Sequence, residues 1–358
     1  MGGSNVIRVG LVGCGLIGTQ HAWGLYSLRK SGLVDVKVTQ AYDIDPERTA
    51  KFASDNGVEA APDMDALLSQ VDVVWVCTWT AGHLRAVKAA AERGLPVFCE
   101  KPLAPTIAEC EQLAVAIRKV PHQIGLILRH VPGYQKIAEM VHSGEYGRPM
   151  GAFFRDDQFF PVHGLYDSTW RRDVKAAGGG TLIEHSIHDT DVLAWILGAP
   201  KEVSARTTSF AGHPGIEDMA ALTLHYDNGC AAQLMSLWHR VTKRTTNRHL
   251  EIFLEDAAIW MDGELGPVHL ETSEGQQTIE AGLPEMVYGL DMEDVPFDWR
   301  LPAAGFAVEG KAFLDVVMSG DRTARGIPDV DEALIAHRIV DAAYRSAASG
   351  GVPLPIWP

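Results

Sequence analysis

A glycine-rich turn near the start of the chain has the residue spacing of a dinucleotide-binding motif. Gly13, Gly15 and Gly18 follow the apolar run IRVGLV and open a stretch with helical periodicity. In such a motif the first glycine permits a tight turn, the second lets the backbone approach a pyrophosphate, and the third lets the helix pack closely on the strand. The start of the helix also offers unpaired N–H groups to the phosphates. The residues predicted to bind the dinucleotide here are Gly13, Gly15, Leu16, Ile17 and Gly18.

An acidic residue at the end of the second apolar run indicates which dinucleotide is bound. Asp43 ends the run VKVTQAYD, and its carboxylate can accept hydrogen bonds from the hydroxyls of the adenosine ribose. The same charge would repel the extra phosphate of NADP, and the next residue is Ile44 rather than arginine. We therefore predict NAD as the cofactor in preference to NADP, with Asp43 and Ile44 beside the ribose. The alternative is a glycine turn that serves chain geometry alone, with Asp43 capping a helix.

Short apolar runs alternate with helical patterns from Val6 to about Leu128. The runs are IRVGLVG, VKVTQAYD, VDVVWVC, LPVFCE and QIGLIL. Strands that are apolar throughout and are joined by helices are typical of a parallel sheet covered on both faces. We therefore predict an α/β Rossmann domain with a doubly wound parallel sheet, which binds NAD, over residues 1–128.

Beyond about Gly147 the pattern changes to longer alternating runs such as AALTLHYDNGCAAQLMSLWH. The stretch Asp227–Gly229 between two of these runs is a hairpin signal. The helices predicted in this part of the chain are Gly180 to Leu197, Phe306 to Met318 and Asp331 to Ser346. Residues 129–358 are therefore predicted to form an α+β domain with a large, open, mostly antiparallel sheet.

Composition and charge exclude several classes of partner. Hydrophobic residues make up 46% and charged residues 22% of the 358-residue chain, the balance of a soluble globular protein. The formal net charge of −15 argues against nucleic acid or an anionic membrane surface as a partner, because like charges repel. The five cysteines are scattered without a Cys-x-x-Cys pair, which favours a reducing cytoplasm. We expect neither a membrane span nor a signal peptide.

Two longer motifs carry a resemblance to a known family. They are Cys99–Leu103, which reads CEKPL, and Gly178–Asp191, which reads GGGTLIEHSIHDTD; weaker matches are Gly144–Pro149 and Tyr344–Ala347. With these motifs in this order the chain resembles the glucose–fructose oxidoreductase, inositol dehydrogenase and MocA family. The resemblance covers almost the whole chain. It implies an NAD-binding Rossmann domain, a sugar or polyol substrate, and a second domain whose open sheet pairs with another subunit.

The resemblance also implies three catalytic residues. Lys101 of the first motif is expected near the nicotinamide, and Glu184 and His188 of the second motif are expected to face the substrate. His188 suits the base that removes the hydroxyl proton, because the ordinary pKa of histidine is near neutrality. Glu184, one helical turn earlier, would orient or stabilise the imidazole, and Lys101 would hold the developing alkoxide. The family more often has aspartate at the position of Glu184.

Each of these residues also has a purely structural interpretation. Lys101 could be a solvated lysine at a strand exit. Glu184 and His188 could form a surface ion pair on an amphipathic helix. The three glycines Gly178 to Gly180 favour a functional site instead, because they indicate a close backbone approach to a ligand or to the nicotinamide. A zinc site built on His185 and His188 is a further alternative that we disfavour, since the two side chains only partly share a helix face.

Further site residues are predicted from their positions. Thr78, Trp79, His83, Glu100 and Arg129 follow strands at the carboxyl edge of the sheet, where α/β proteins bind ligands. These five residues are predicted to contact the cofactor. In the second domain aromatic and basic side chains would suit the faces and hydroxyls of a sugar. The predicted substrate-binding residues there are Trp170, Arg171, Arg172, Glu184, His185 and His188, with Lys101 from the first domain and His163, Trp238 and His239 as further candidates.

The predicted function is an NAD-dependent oxidoreductase that transfers a hydride between nicotinamide and a hydroxyl-bearing carbon of a sugar, polyol or glycoside. We expect a homo-oligomer, no metal, and no nucleic-acid or membrane partner. Two other classes remain open at this stage. One is a redox-neutral glycosidase that retains NAD, and the other is a non-catalytic sensor of nucleotide or sugar.

Overall fold

The computed structural model describes residues 6–162, 166, 168–320 and 327–357. Within this part of the chain the backbone contacts define two compact units. The first contains residues 6–104, Ala108–Ile127 and Pro284–Asp331. The second contains Pro105–Ile107, Leu128–Leu283 and the residues from Glu332 onward. The contacts therefore assign a C-terminal segment to the same unit as the N-terminal sheet.

Fifteen strands form two sheets in the described residues. The strands of the first unit are β1 Ile7–Val12, β2 Val36–Tyr42, β3 Glu59–Ala60, β4 Val73–Val76, β5 Val97–Cys99 and β6 His122–Ile124. The strands of the second unit are β7 Pro149–Phe159, β8 Glu202–Thr208, β9 Met219–His225, β10 Ala231–His239, β11 Asn247–Leu254, β12 Ala257–Asp262, β13 Val268–Thr272, β14 Gly275–Ile279 and β15 Leu354–Pro355.

Twelve α-helices connect or cover these strands in the described residues. In chain order they are α1 Leu16–Lys30, α2 Pro46–Asn56, α3 Met64–Leu68, α4 His83–Glu92, α5 Ile107–Ile117, α6 Pro132–Ser143, α7 Val174–Ala177, α8 Thr181–Glu184, α9 Ile187–Leu197, α10 Glu285–Tyr288, α11 Arg300–Ser319 and α12 Val330–Ala348. Within the described ranges, no helix is both long enough and apolar enough to cross a membrane.

The first sheet confirms the predicted Rossmann architecture. Its six strands are all parallel, in the order β3-β2-β1-β4-β5-β6. This is the strand order of a dinucleotide-binding sheet, whose ligand site lies at the carboxyl ends of the strands where the order reverses. The reversal lies between β1 and β4, so the glycine turn after β1 and the segment after β4 belong to the same edge.

The second sheet confirms the predicted large, mostly antiparallel architecture. Its nine strands follow the order β14-β13-β12-β11-β7-β10-β9-β8-β15. All neighbours are antiparallel except β7 and β10. The predicted hairpin at Asp227–Gly229 joins β9 to β10, and Gly229 adopts a φ of +86°.

One predicted helix is wrong in its continuity. The sequence predicts a single helix from Gly180 to Leu197, whereas the structure has α8 and α9 with a break at His185 and Ser186. Both side chains of the break bond to Asp156 of β7, His185 at 3.1 Å and Ser186 at 3.2 Å. These bonds favour a local turn over helix continuation. Glu184 and His188 therefore lie on different helices and do not share the face of a single helix.

Helix α11 covers the first sheet although it lies late in the chain. Its Phe313 packs edge-on against Trp75 of β4, with ring centroids 5.3 Å apart, and Trp75 stacks on Phe98 of β5. All three side chains are fully buried. Pairs of this kind stabilise a core beyond the area that they bury. This packing carries the middle of α11, including Glu309, into the core beneath β5.

Candidate cofactor-binding and active-site residues

The turn after β1 requires glycine at its first and third motif positions. Gly13 has a φ of +103°, and a methyl group added there would lie 2.5 Å from the carbonyl oxygen of Cys77. A methyl group at Gly18 would lie 2.2 Å from the carbonyl oxygen of Gly13. At Gly15, by contrast, a methyl group would meet no described atom within 4 Å. The middle of the turn is therefore open, as the approach of a pyrophosphate requires.

The N-terminus of α1 begins at this opening. Gly15 is its N-cap residue and, among the described residues, no side chain caps it. Leu16 and Ile17 are the first helical residues. Their N–H groups, with the positive end of the helix dipole, form a site for an anion.

Asp43 is buried at the end of β2 and is tied to the glycine turn. One carboxylate oxygen accepts the N–H of Cys14 at 2.9 Å, and the other accepts the N–H of Asp45 at 3.1 Å. Ile44 beside it is largely exposed. An ionised carboxylate has about four acceptor positions, so two bonds to the backbone leave capacity for ribose hydroxyls. The arrangement is compatible with the predicted ribose contact, which stays a prediction.

The segment after β4 is held by a buried histidine. The two ring nitrogens of His83 lie 2.7 Å from the carbonyl oxygen of Pro102 and 3.0 Å from that of Thr78. Carbonyl oxygens only accept, so a doubly protonated ring satisfies both bonds. Thr78 and Trp79 remain half-buried at the sheet edge. His83 thus joins the β4 segment to the segment after β5.

The segment after β5 carries Glu100 and Lys101. Glu100 is buried, with one oxygen 2.8 Å from Nε2 of His21 and the other accepting the N–H of Lys101 at 3.1 Å. Burial favours the neutral acid, but the hydrogen bond and charge of His21, with the charge of Lys101, lower the pKa of Glu100 below its ordinary value. Lys101 is half-buried. Glu100 therefore fixes the backbone from which the Lys101 side chain extends.

The glycine turn of the second unit approaches neighbouring protein segments closely, and its predicted approach to a ligand stays a prediction. A methyl group at Gly178 would lie 2.6 Å from the carbonyl oxygen of Pro105. At Gly179 it would lie 2.3 Å from the hydroxyl of Tyr344, and at Gly180 only 1.8 Å from the carbonyl oxygen of Glu217. The three glycines are needed because neighbouring chain segments fill the space that side chains would take.

Glu217 also occupies the N-terminus of α8. Its two carboxyl oxygens accept the N–H groups of Gly180 at 2.8 Å and Leu182 at 2.9 Å, and Tyr344 donates its hydroxyl to the same group. Burial raises the pKa of Glu217 above its ordinary value, and these hydrogen bonds act against that rise. The acidic side chain takes the position that an anionic ligand would otherwise occupy.

Glu184 is buried at the end of α8 beside basic and aromatic side chains. Its carboxylate accepts a hydrogen bond from Nε of Arg171 at 3.0 Å. The guanidinium of Arg171 lies 4.4 Å from the ring centroid of Trp170, in the geometry of a cation–π contact. Arg172 is exposed. Three of the predicted substrate-binding residues, Trp170, Arg171 and Glu184, therefore form one cluster.

His188 and His185 lie at the start of α9 beside a buried ionic network. Nε2 of His185 is 3.1 Å from Asp156, and His188 is 7% exposed. Arg248 donates to Asp156 at 3.2 Å and to Asp189 at 2.8 Å. Burial and the charge of Asp156 raise the pKa of Asp189 to about 7. The helix that presents His188 is thus anchored by charged groups on β7 and β11.

Three other predicted residues have partners within the second unit. Arg129 makes a bidentate ion pair with Asp191 at 2.7 and 2.8 Å and a second with Glu332. Trp238 packs against Phe160 in a small core, and His239 lies 3.3 Å from Asp157. His163 lies outside the described residues. Arg129, Trp238 and His239 accordingly have structural roles, and their ligand roles stay predictions.

Several residues on which these sites depend were not predicted from the sequence. His21 lies in α1 one turn after Gly18, and that spacing places it on the face that packs on the sheet. The buried Glu309, Glu217 and Arg248 carry no local signal, because each lies far along the chain from the groups that it contacts.

Comparison with known proteins gives consistent matches over both units. A family model described as an oxidoreductase family with an NAD-binding Rossmann fold matches residues 7–126. The model of the GFO/IDH/MocA C-terminal domain matches residues 134–260. Together the two matches span more than half of the chain.

Individual relatives are dehydrogenases and reductases by name. The chain is 30% identical over 235 residues to a 1,5-anhydro-D-fructose reductase of Ensifer adhaerens, covering 63% of this chain and 68% of that protein. It is 27% identical over 363 residues to inositol 2-dehydrogenase 2 of Paenarthrobacter aurescens (strain TC1), covering 96% and 97%. A levoglucosan dehydrogenase solved in complex with NADH has the same fold, with a TM-score of 0.83, 19% identity and coverage of 98% and 99%.

Proposed function

The chain belongs to the NAD-binding oxidoreductase family of glucose–fructose oxidoreductase, inositol dehydrogenase and MocA, and on this premise we propose that it is a dehydrogenase or reductase acting on a CH–OH group of a sugar, polyol or glycoside. The observation that carries the proposal lies within the first unit. The open glycine turn after β1 and the Glu100–Lys101 segment after β5 occupy the carboxyl edge of one parallel sheet. That edge is where such a sheet binds its ligand.

The proposed cofactor contacts come from the first unit, with Arg129 as one predicted contact from the second. When bound, NAD supplies the acceptor or donor of the hydride. The N–H groups at the start of α1 would hold the pyrophosphate, and Asp43 with Ile44 would lie at the adenosine ribose. Thr78, Trp79, His83 and Glu100 follow the neighbouring strands, where the nicotinamide half is expected.

Lys101 and His188 are the proposed acid–base groups. Oxidation of an alcohol breaks a C–H bond, whose electron pair leaves as hydride, while the hydroxyl proton goes to a base and a C=O bond forms. His188 would take that proton, and Lys101 would stabilise the negative charge that develops on oxygen. Glu184 would assist through its charge, which Arg171 holds in a fixed position at 3.0 Å.

The proposed substrate contacts in the second unit are Trp170, Arg171, Arg172, Glu184, His185 and His188. The cation–π pair of Arg171 and Trp170 keeps an aromatic face and a guanidinium side by side. An aromatic face suits the C–H face of a sugar ring, and a guanidinium suits its hydroxyls or a carboxylate. The names of the relatives, which include an inositol 2-dehydrogenase and a 1,5-anhydro-D-fructose reductase, support the same class of substrate.

We also propose a homo-oligomer built through the open face of the second sheet. Phe153, Met235 and Phe253 on the neighbouring strands β7, β10 and β11 are 48%, 40% and 38% exposed. Neighbouring apolar side chains at this exposure are typical of an interaction surface. Sedimentation at micromolar concentration should give a dimer or larger species, and a monomer would contradict the proposal.

The cysteines support a reducing cytoplasmic environment. All five are buried free thiols in the structure. Thiol titration of the purified protein, denatured without reductant, should therefore count five reactive groups. A lower count would indicate disulfide formation and contradict this assignment.

The function is tested by the absorbance of reduced nicotinamide when the purified protein meets NAD and a panel of aldoses, polyols, uronic acids and glycosides. A steady rise with one class of substrate is expected. If NAD binding is demonstrated but no compound produces a rise, the dehydrogenase proposal for this panel fails. Turnover of a glycoside without net NADH would then indicate the redox-neutral reaction.

A further inference from the structure

A cluster of three ionisable side chains is buried behind Lys101 in the first unit. A ring nitrogen of His21 and one carboxyl oxygen each of Glu100 and Glu309 all lie within 4.8 Å of one another. His21 is 1%, Glu100 6% and Glu309 0% exposed. The cluster connects α1, the segment after β5 and α11. None of the roles proposed above uses Glu309.

Two carboxyl groups at this separation in a core do not both ionise readily. Two negative charges repel strongly in a medium of low polarity, and burial separates both carboxyl groups from bulk water. Glu100 has the partners that a carboxylate needs, because His21 bonds one oxygen at 2.8 Å and the N–H of Lys101 bonds the other at 3.1 Å. Neither oxygen of Glu309 has a hydrogen-bond partner among the described residues. The negative charge therefore belongs on Glu100.

The groups that face Glu309 come from four elements. His21 lies on α1, Cys77 follows β4, and Glu100 and Lys101 follow β5. From β6, Gln123 donates a hydrogen bond to the backbone carbonyl of Glu309. Burial and the charge of Glu100 raise the pKa of Glu309 well above its ordinary value, and Lys101 acts in the opposite direction. The charge of Lys101 does not offset both the lost hydration and the neighbouring carboxylate.

We propose that Glu309 stays protonated in the folded protein, so that the cluster carries a single carboxylate, on Glu100, which fixes the backbone of Lys101. The His21–Glu100 contact is already at hydrogen-bond distance, so the pair satisfies itself without a metal ion between its members. The importance of this cluster for catalysis rests on the proposed function of Lys101. The protonation state of Glu309 is independent of that proposed function.

The protonation is tested by the pH dependence of unfolding. Above the ordinary pKa of glutamic acid the unfolded chain releases this proton while the folded chain keeps it, so stability falls as pH rises toward the raised folded pKa. The variant Glu309→Gln cannot titrate and lacks this loss. Between pH 5 and 8 the unfolding constant of the wild type, divided by that of E309Q, should rise by up to about tenfold per pH unit. A constant ratio would overturn the proposal.

Two further variants serve as controls for the pH dependence of unfolding. Asp315→Asn on the same helix is a matched control, because its carboxylate is 51% exposed and should leave the slope close to that of the wild type. Glu309→Met places an apolar side chain in the same space and should remove the slope in the same way as E309Q. Gln and Met have about the size of a neutral glutamic acid, so both variants should fold if the Glu309 carboxyl group is neutral and has no partners. If both fail to fold, the proposal is wrong. A divalent metal at one equivalent per chain in the purified protein, absent from E309Q, would overturn it as well.

The assignment of the single negative charge to Glu100 is tested by the pH profile of kcat/KM. E309Q replaces one neutral group by another and should leave the profile in place. Glu100→Gln removes a negative charge beside Lys101 and should move the limb that reports Lys101 to lower pH. A shift of the same limb in E309Q would show that Glu309 carries charge and would contradict the proposal. A third outcome is that neither variant shifts the pH profile of kcat/KM, while the pH dependence of unfolding differs between the wild type and E309Q as expected. In that case the protonation of Glu309 stands, and the proposed catalytic role of Lys101 is wrong.

Discussion

The two glycine-rich turns of the chain have similar sequences and opposite surroundings. In the turn after β1 a methyl group at Gly15 would meet no described atom within 4 Å, and in the described residues no side chain caps the helix that follows. In the turn before α8 a methyl group at Gly180 would lie 1.8 Å from a carbonyl oxygen, and Glu217 binds the N–H groups at the helix start. The first turn leaves its N–H groups for an external anion, and the second satisfies them with an internal one. Glycines in a turn therefore predict that another group lies close to the backbone. Whether a side chain of the protein already binds the N–H groups at the start of the following helix indicates whether that group is protein or ligand.

The largest expected effect is on the folding of the second turn. Gly180→Ala places a methyl group 1.8 Å from the backbone of Glu217, which cannot move away as a flexible side chain could. We expect a loss of about 4 kcal/mol or more in the free energy of unfolding, or failure to fold. Urea denaturation checks this. Stability within about 0.5 kcal/mol of the wild type would contradict the filled-turn interpretation.

The second largest effect on the free energy of unfolding is expected from Glu217, whose carboxyl group binds the N–H groups at the start of α8. Glu217→Gln keeps the size of the side chain but turns an N–H donor toward groups that are themselves donors, at Gly180 or Leu182. We expect a loss of about 1–3 kcal/mol in the free energy of unfolding, since a buried donor loses its partner. Urea denaturation of E217Q at neutral pH measures it. An unchanged midpoint would show that the carboxylate contributes little at this helix start.

A substitution in the glycine turn after β1 should change the affinity for NAD rather than the stability of the fold. Gly15→Ala adds a methyl group where the structure leaves space, so folding should persist. The methyl group would separate the backbone from a pyrophosphate, and NAD affinity should fall by roughly tenfold, about 1.4 kcal/mol. Calorimetric titration with NAD checks this. Unchanged affinity would mean that the pyrophosphate lies elsewhere.

The smallest expected effect concerns the choice between the two dinucleotides. Asp43→Ala removes the carboxylate that would repel the extra phosphate of NADP. The preference for NAD over NADP should fall by about tenfold or less, which corresponds to about 1.4 kcal/mol or less. The ratio of the two affinities by titration is the measurement. A ratio equal to that of the wild type would show that another group reads the ribose.

The sequence predicted the elements whose signals are local. The apolar runs and the glycine spacing predicted the parallel sheet, its dinucleotide turn and the hairpin at Asp227–Gly229, and the family motifs identified Lys101, Glu184 and His188 as candidates. The break between α8 and α9 was not predictable from periodicity, because it depends on bonds from His185 and Ser186 to Asp156 on another strand. Packing of α11 on the first sheet, which buries Glu309, likewise depends on contacts between residues far apart in the chain.

The measurement that tests the account most directly compares NADH formation by the wild type, Lys101→Ala and His188→Ala with saturating NAD and the best substrate of the panel. We expect both variants to lose 10²–10⁴-fold in turnover, the usual contribution of one acid–base group, while NAD binding by titration persists. Turnover near that of the wild type in either variant would contradict the assignment of that residue.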